Sequence, residues 1–382
     1  MLTVLVTGSS GMLGTSLQTL IENSQLPSMN FIFLTRKILD LADFDAVQEY
    51  DFKSIDIIIH LAAKCGGLYD NMSNNYDFYK TNNEITRSIL YLAEKYRIHC
   101  LINVLSTCIF PDYNGQDIVL LESKNILNGP PHDSNKGYSY AKRNLYIESK
   151  LMAEYKRSFQ VVNLIPTNMY GSNDKSTHVI PDLIKKCRNA TDNETSFTIK
   201  GSGKAIRQFL YVGDFSRIIL LIIFKSFRKP VTDIIVSPSE SYSIKELAEL
   251  IAQKLEYKDK IIYDTSFSDG QLIKKSNHFE IQSVLPNFEF TSLDHGLDLI
   301  IAEPERPDAD VLDEPEITPS REPEIKPIEE PVEEPESIPI EEPESAPFDI
   351  DIDVPQIIQH LKKLIEIVKV IKKFIKNKKL FK

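Results

Sequence analysis

Leu2-Thr3-Val4-Leu5-Val6 is a short, almost wholly apolar run, the pattern of a strand buried on both faces. It gives way at once to Thr7-Gly8-Ser9-Ser10-Gly11-Met12-Leu13-Gly14 and a helical periodicity lasting to about residue 23. The alternation then recurs. Residues 31–34, 56–60, 101–105 and 159–165 are further buried-strand runs. Helical periodicity occupies residues 75–97 and a segment ending near 157, with a loop expected over 64–75. Strands alternating with helices over short connections predict an α/β fold on a doubly wound parallel sheet, with ligands at the carboxyl ends of its strands. Beyond Pro166-Thr167-Asn168-Met169, which closes the last of these strands, the pattern is less regular. Helices are expected at 180–188 and 214–225, a strand at 234–236, an amphipathic helix begun by Ser243, a polar loop at 264–271, and a short helix ending near 301. The reading gives a Rossmann domain over 1–165, whose sheet later segments can complete, and a smaller, mainly substrate-binding α/β domain over 166–302.

The pattern changes abruptly at residue 303. Prolines stand at every fourth position from 315 to 347, filled mostly with Glu, Ile and Ser, and 303–354 hold 20 acidic residues against 3 basic ones. Such a segment builds neither helix nor core, and extended it spans about 150 Å, so 303–354 reads as a disordered acidic linker. In 355–382, Ile357, Leu361, Leu364, Val368, Ile371 and Ile375 follow a 4-3-4-3-4 spacing with lysines opposite. This is a basic amphipathic helix with heptad character. Self-association, binding to an anionic membrane or other surface, and docking back onto the folded part all remain open for it.

Composition changes the picture in two ways. The chain carries a net charge of −11, but the tail accounts for most of it and the folded part is close to neutral, so no nucleic-acid surface is expected. Cys65, Cys100, Cys108 and Cys187 show no Cys-x-x-Cys or metal-ligand spacing, and Met1 leads directly into a strand. A reducing, cytoplasmic setting and no metal are expected.

Gly8, Gly11 and Gly14, between a strand and a helix, let the backbone approach a pyrophosphate, with the amides of Ser10, Met12 and Leu13 at the helix start. About twenty residues later stands Arg36, where NAD-preferring folds carry an acid. A cation there accommodates a 2′-phosphate, so NADP(H) is the expected cofactor, although a loop arginine would look the same. Ala62 and Ala63 offer small side chains against the cofactor, and Leu105, Pro166, Asn168 and Met169 stand at strand ends facing its groove.

Tyr138 and Lys142, at i and i+4 of a helix, place an ammonium beside a phenol. The pair is expected to lower the phenol pKa for proton exchange with a carbonyl oxygen, though Tyr-x-x-x-Lys also describes ordinary surface pairs. Ser106 at a strand end can hydrogen-bond the same carbonyl. Cys108 is either a packing thiol or an acid/base, and His178, just ahead of a helix, either caps it or reaches the cleft. Arg207 follows a Gly-containing turn, and its fork suits a diphosphate.

Taken together, Thr7-Gly8-x-x-Gly11-x-x-Gly14 and the Tyr138/Lys142 pair resemble the extended short-chain dehydrogenase/reductase family. More narrowly, His60-Leu61-Ala62-Ala63-Lys64-Cys65-Gly66-Gly67-Leu68, Ser106-Thr107-Cys108-Ile109-Phe110-Pro111, Gly129-Pro130-Pro131-His132 and Gly137-Tyr138-Ser139-Tyr140-Ala141-Lys142-Arg143 resemble the GDP-L-fucose synthases, over residues 2–301. The resemblance implies a homodimeric, NADP(H)-dependent 3,5-epimerase and 4-reductase converting GDP-4-keto-6-deoxy-D-mannose to GDP-L-fucose. It further implies a reductase triad of Ser106, Tyr138 and Lys142, epimerase proton transfers by Cys108 and His178, and substrate contacts from Lys186, Arg207, Asp269 and Lys274. Another nucleotide-sugar epimerase or reductase of the same family, or an NADP-binding scaffold without catalysis, are the alternatives. The sequence departs from the family in a shorter 170–177 segment, in Gly213-Asp214 where a pair of acids is usual, and in a last helix cut short at 299–301.

Overall fold

The structure, a computed structural model, describes residues 2–24, 29–113, 120–156, 158–172, 174, 178–226 and 232–302. The expected acidic linker and basic terminal helix lie outside them.

The first half alternates as the sequence pattern predicts. β1 (Leu2–Thr7), α1 (Met12–Ser24), β2 (Met29–Leu34), α2 (Phe44–Glu49) and β3 (Ile57–His60) are followed by α3 (Leu68–Ser73), α4 (Asn75–Lys95), β4 (Cys100–Val104), α5 (Lys136–Tyr155) and β5 (Gln160–Pro166). The second half adds β6 (Asn168–Tyr170), α6 (Val179–Asp192), β7 (Phe197–Lys200), β8 (Ile206–Arg207), β9 (Phe209–Tyr211) and α7 (Val212–Ser226). It ends with β10 (Asp233–Val236), β11 (Tyr242–Ser243), α8 (Ile244–Lys254), β12 (Ile261–Asp264), α9 (Phe279–Val284) and α10 (Leu293–Ile301).

Six parallel strands form the central sheet in the order β10-β5-β4-β3-β1-β2. Side-chain alternation explains why it is covered on both sides. Val4, Val6, Ile57, Ile59, Ile102 and Leu164 face α1 and α7, while Leu5, Ile58, Leu101 and Val161 face α2 and α4. The chain reverses direction across the sheet between β1 and β3, so the crevice for a ligand opens at the carboxyl ends of these two strands.

β10, read from sequence as part of the later region, completes the main sheet beside β5. A polar chain fastens it there. Asn163 Nδ2 donates to Asp233 Oδ1 at 2.8 Å, Asn103 Nδ2 donates to Asn163 Oδ1 at 3.0 Å, and Lys150 Nζ and the Tyr146 hydroxyl of α5 both donate to Asp233 Oδ2. Buried amides inside parallel strands are costly unless paired, so the network fixes which strands lie together.

Two other local readings change. The expected loop at 64–75 contains α3, whose entry is held by Asn71 Nδ2 donating to the Gly66 and Gly67 carbonyls. Two glycines before a six-residue helix leave too short a periodic signal to see. The segment after Pro166 continues into β6, which pairs with β9 some forty residues on; a three-residue strand is specified by its partner rather than by its own pattern. The smaller region is built around α6, α8, α10, β7 and β9, with Phe197, Leu247, Ile251 and Leu297 buried in its core. The expected start of α8 is observed: Ser243 and Glu246 form a reciprocal capping box.

Candidate active site

Gly137 lets α5 begin against the start of α4. Its amide donates to Asn75 Oδ1 at 2.9 Å, and a Cβ there would lie 1.8 Å from the Asn75 carbonyl oxygen. This contact places the next residue, Tyr138, at the sheet's carboxyl edge. Lys142, one turn on, is buried, and its ammonium donates to the Val104 carbonyl at 3.0 Å, 5.9 Å from the centre of the Tyr138 ring.

The expected effect of that ammonium on the phenol is reversed. Burial, with Cys65 and Cys108 alongside, pushes the Tyr138 phenol well above its ordinary pKa, and burial lowers that of Lys142. Burial is the largest influence on Tyr138, so desolvation of the phenolate wins and the hydroxyl stays protonated. A hydrogen-bonding neighbour of that hydroxyl is Cys65 Sγ at 3.9 Å. Cys65 is open to the cavity yet walled by protein, and burial raises its pKa.

Ser106 and Cys108 leave the end of β4 in a tight 3₁₀ turn. Ser106 Oγ accepts from the Cys108 amide at 3.2 Å, and Arg143 of α5 clamps the turn by donating to the Ile109 and Gly129 carbonyls at 2.6 and 2.7 Å. Lys274 Nζ donates to Cys108 Sγ at 3.3 Å. Burial opposes ionisation of this thiol, but Lys274, the Ser106 hydroxyl and Arg207 outweigh it and bring the thiol below its ordinary value.

His178 stands at the N-cap of α6, with Nδ1 3.4 Å from Asp174 Oδ2. Burial disfavours the imidazolium, but the Asp174 carboxylate, helped by Cys108, raises its pKa. Of the short segment before His178, residues 173 and 175–177 lie outside the described ones.

A cavity of about 530 Å³ gathers Ser106, Cys108, Tyr138, His178, Lys186, Arg207, Asp269 and Lys274, and Met12, Leu105, Pro166, Asn168 and Met169 also line it. The substrate candidates are already engaged. Arg207 donates to the Ile206, Gln271 and Leu272 carbonyls, stapling the 264–276 loop, and burial lowers its pKa to about 10. Asp269 accepts from the Ser202 amide and hydroxyl, both at 2.7 Å, holding the Gly201–Gly203 turn, and Lys186 pairs with Asp182 at 2.6 Å. Among the described residues no cluster of His, Cys, Asp and Glu could hold a metal.

The remaining cofactor candidates are not among the residues lining this cavity. Gly8 has φ +67°, and a Cβ on it would meet the Ala62 amide nitrogen at 2.6 Å; one on Gly14 would meet the Gly8 carbonyl oxygen at 2.4 Å. These two glycines let β1, α1 and Ala62 touch. Gly11 differs, since the nearest atom to a Cβ there is 3.4 Å away. Space therefore lies before it at the start of α1, where a pyrophosphate could enter, and the buried Ser9 hydroxyl nearby has no partner. Ser10 is exposed in this turn, whereas Leu13 is a core residue and could offer only its backbone. Ala62 and Ala63 follow β3; the Ala62 amide donates to Thr7 Oγ1 at 3.2 Å. Arg36 is 83% exposed and pairs with Asp40 at 2.9 Å, open to a phosphate but already partnered. The glycine turn fits a dinucleotide.

Asp174 and Cys65 were not assigned roles by sequence reasoning. Asp174 is four residues from His178, a spacing with no meaning outside a helix, and Cys65 neighbours Tyr138 only because the loop after β3 passes it.

A model of the NAD dependent epimerase/dehydratase family matches residues 4–236. A GDP-L-fucose synthase of Dictyostelium discoideum is 33% identical over 301 residues, 77% of this chain and 92% of that protein. A GDP-L-colitose synthase of Yersinia pseudotuberculosis is 32% identical over 273 residues, 69% of this chain and 85% of that protein. The crystal structure of a GDP-L-fucose synthetase from Naegleria fowleri bound to NADP superposes with a TM-score of 0.70 at 30% identity, covering 78% of this chain and 92% of that one.

Proposed function

Because the chain belongs to the NAD dependent epimerase/dehydratase family, we propose that it converts GDP-4-keto-6-deoxy-D-mannose to GDP-L-fucose by 3,5-epimerisation followed by NADPH-dependent 4-reduction. The observation that carries this reading is the convergence of a phenol, a thiol and an imidazole on one cavity: Tyr138 from α5, Cys108 after β4, and His178 at the start of α6.

A 4-ketone acidifies the hydrogens on C3 and C5, because the carbanion left behind is an enolate. The Ser106 and Tyr138 hydroxyls are the donors for its oxygen. Inverting a carbon needs a base on one face and an acid on the other. Cys108, brought toward its thiolate, suits the base, and His178, held toward its imidazolium by Asp174, suits the acid. Reduction comes last, since removing the ketone ends the lability of the neighbouring hydrogens. When bound, the nicotinamide cofactor supplies hydride to C4. Tyr138, kept protonated by its surroundings, gives the proton to the oxygen. The open face of Gly11, with the amides of Ser10, Met12 and Leu13, would hold the pyrophosphate. Arg36 would exchange Asp40 for a 2′-phosphate, which favours NADP(H). Four free cysteines suit a reducing, cytoplasmic setting.

A homodimer fits the surface as well. Tyr140, Ile147, Leu151 and Tyr155 lie on one face of α5 and are exposed, as are Tyr76 and Tyr79 on the neighbouring α4.

Incubation with NADPH and GDP-4-keto-6-deoxy-D-mannose, with the product identified by NMR, tests the reading. GDP-L-fucose is expected. Tyr138→Phe should abolish NADPH oxidation while solvent deuterium still enters C3 and C5, and Cys108→Ser should impair that exchange. A 4-reduced sugar with C3 and C5 unchanged would overturn the assignment. The GDP-L-colitose synthase relative favours a second reading, another GDP-sugar epimerase-reductase. Faster turnover of a different GDP-4-keto sugar would select it, and no turnover of any would select the scaffold.

A further inference from the structure

Lys274 is not a wandering surface lysine. Ile273 bridges Ile206, the Lys274 amide donates to the Ile206 carbonyl at 3.2 Å, Ser276 bridges Leu121, and the Ser276 amide donates to Oε1 of the buried Gln208 at 2.7 Å. The backbone on both sides of Lys274 is therefore pinned, and its ammonium reaches Cys108 Sγ at 3.3 Å. Among the described residues that ammonium makes no ion pair with a carboxylate, so its charge is directed at the sulfur.

We infer that Lys274 is a positioning residue that holds Cys108 as a thiolate aimed into the cavity, beyond any contact it makes with substrate phosphates. The inference deepens the proposed function, resting on Cys108 as the proton-abstracting group. The groups facing the sulfur all bear on its ionisation. Ser106 Oγ accepts from the Cys108 amide on the sulfur's own turn, and Arg207 and His178 approach from β8 and α6. Cys65 and Tyr138 stand uncharged on the β3 and α5 sides. Arg207 is occupied with three backbone carbonyls, and His178 is drawn to Asp174. Lys274 is the cation in direct contact. An opposite charge this close favours the charged form of its neighbour. A cysteine near its ordinary value is only a few per cent thiolate at neutral pH, so the pairing with Lys274 increases the active form.

The test needs no substrate, and so separates this inference from the identity of the sugar. The full chain is treated with iodoacetamide across a pH series, and alkylation of the Cys108 peptide is followed by mass spectrometry. Cys65, in the same cavity but not in contact with Lys274, is the internal reference. Lys274→Met should raise the pH midpoint of Cys108 alkylation by about one unit and slow it about tenfold at neutral pH. Lys274→Arg should restore the wild-type profile, and Cys65, whose ionisation the Cys108 thiolate opposes, should not share the upward shift. Lys274→Gln serves if the methionine variant fails to fold. An unmoved Cys108 midpoint in a folded variant would overturn the inference. If only the KM for the nucleotide sugar then rose, the lysine would be a phosphate contact and nothing more.

Discussion

Cys108 and His178 are shifted toward one another, the thiol downward by its cations and the imidazole upward by Asp174. Exchange at C3 and C5 should therefore follow a bell, failing on the acid side as the sulfur is protonated and on the alkaline side as the imidazolium is lost. Its limbs are values of the pair. Asp174→Asn removes what raises the His178 pKa, so the alkaline limb should move to lower pH with the acid limb nearly in place. The pH profile of deuterium incorporation checks this, and an unmoved alkaline limb would assign it to another group. Spacing alone located Tyr138 beside Lys142 but gave the wrong sign for the phenol. Periodicity says which side chains share a helix face, whereas a titration depends on how much water the surroundings remove, here including Cys65 from a distant loop.

Helices α4 and α5 meet where Gly137 touches Asn75. Gly137→Ala would gain up to about 1 kcal/mol from helix propensity, but the new Cβ would sit 1.8 Å from a backbone oxygen that cannot swing aside. Overpacking of that kind costs about 1–3 kcal/mol, so the clash wins. The variant should lose denaturant stability and, because Tyr138 is the next residue, reductase activity. Retention of both would show that the two helices are free to part. Long elements with caps were legible from the chain: α4, α5 and the Ser243 start of α8 sit within a few residues of expectation. α3, β6 and the pairing of β7 with β12 were not, since a strand or helix of three to six residues is stabilised by contacts made far away in sequence.

The exposed apolar face of α4 and α5 is a property of the molecule's outer surface. Leu151 on this face is 57% exposed, so Leu151→Glu should cost little in the folded monomer while breaking the proposed dimer. Sedimentation should then report a monomer, and an intact dimer would locate the interface elsewhere. The order of apolar runs and glycines was sufficient to specify a doubly wound parallel sheet, the glycine turn and the presence of Tyr138, Lys142, Ser106 and Cys108 at its rim, because periodicity and backbone freedom are local properties. The tertiary structure decided that β10 closes the sheet through Asp233, that Arg207 and Asp269 brace loops, and that Lys274 stands against Cys108. Those outcomes depend on which distant groups share the same buried volume, a question of packing and desolvation that no stretch of the chain answers by itself.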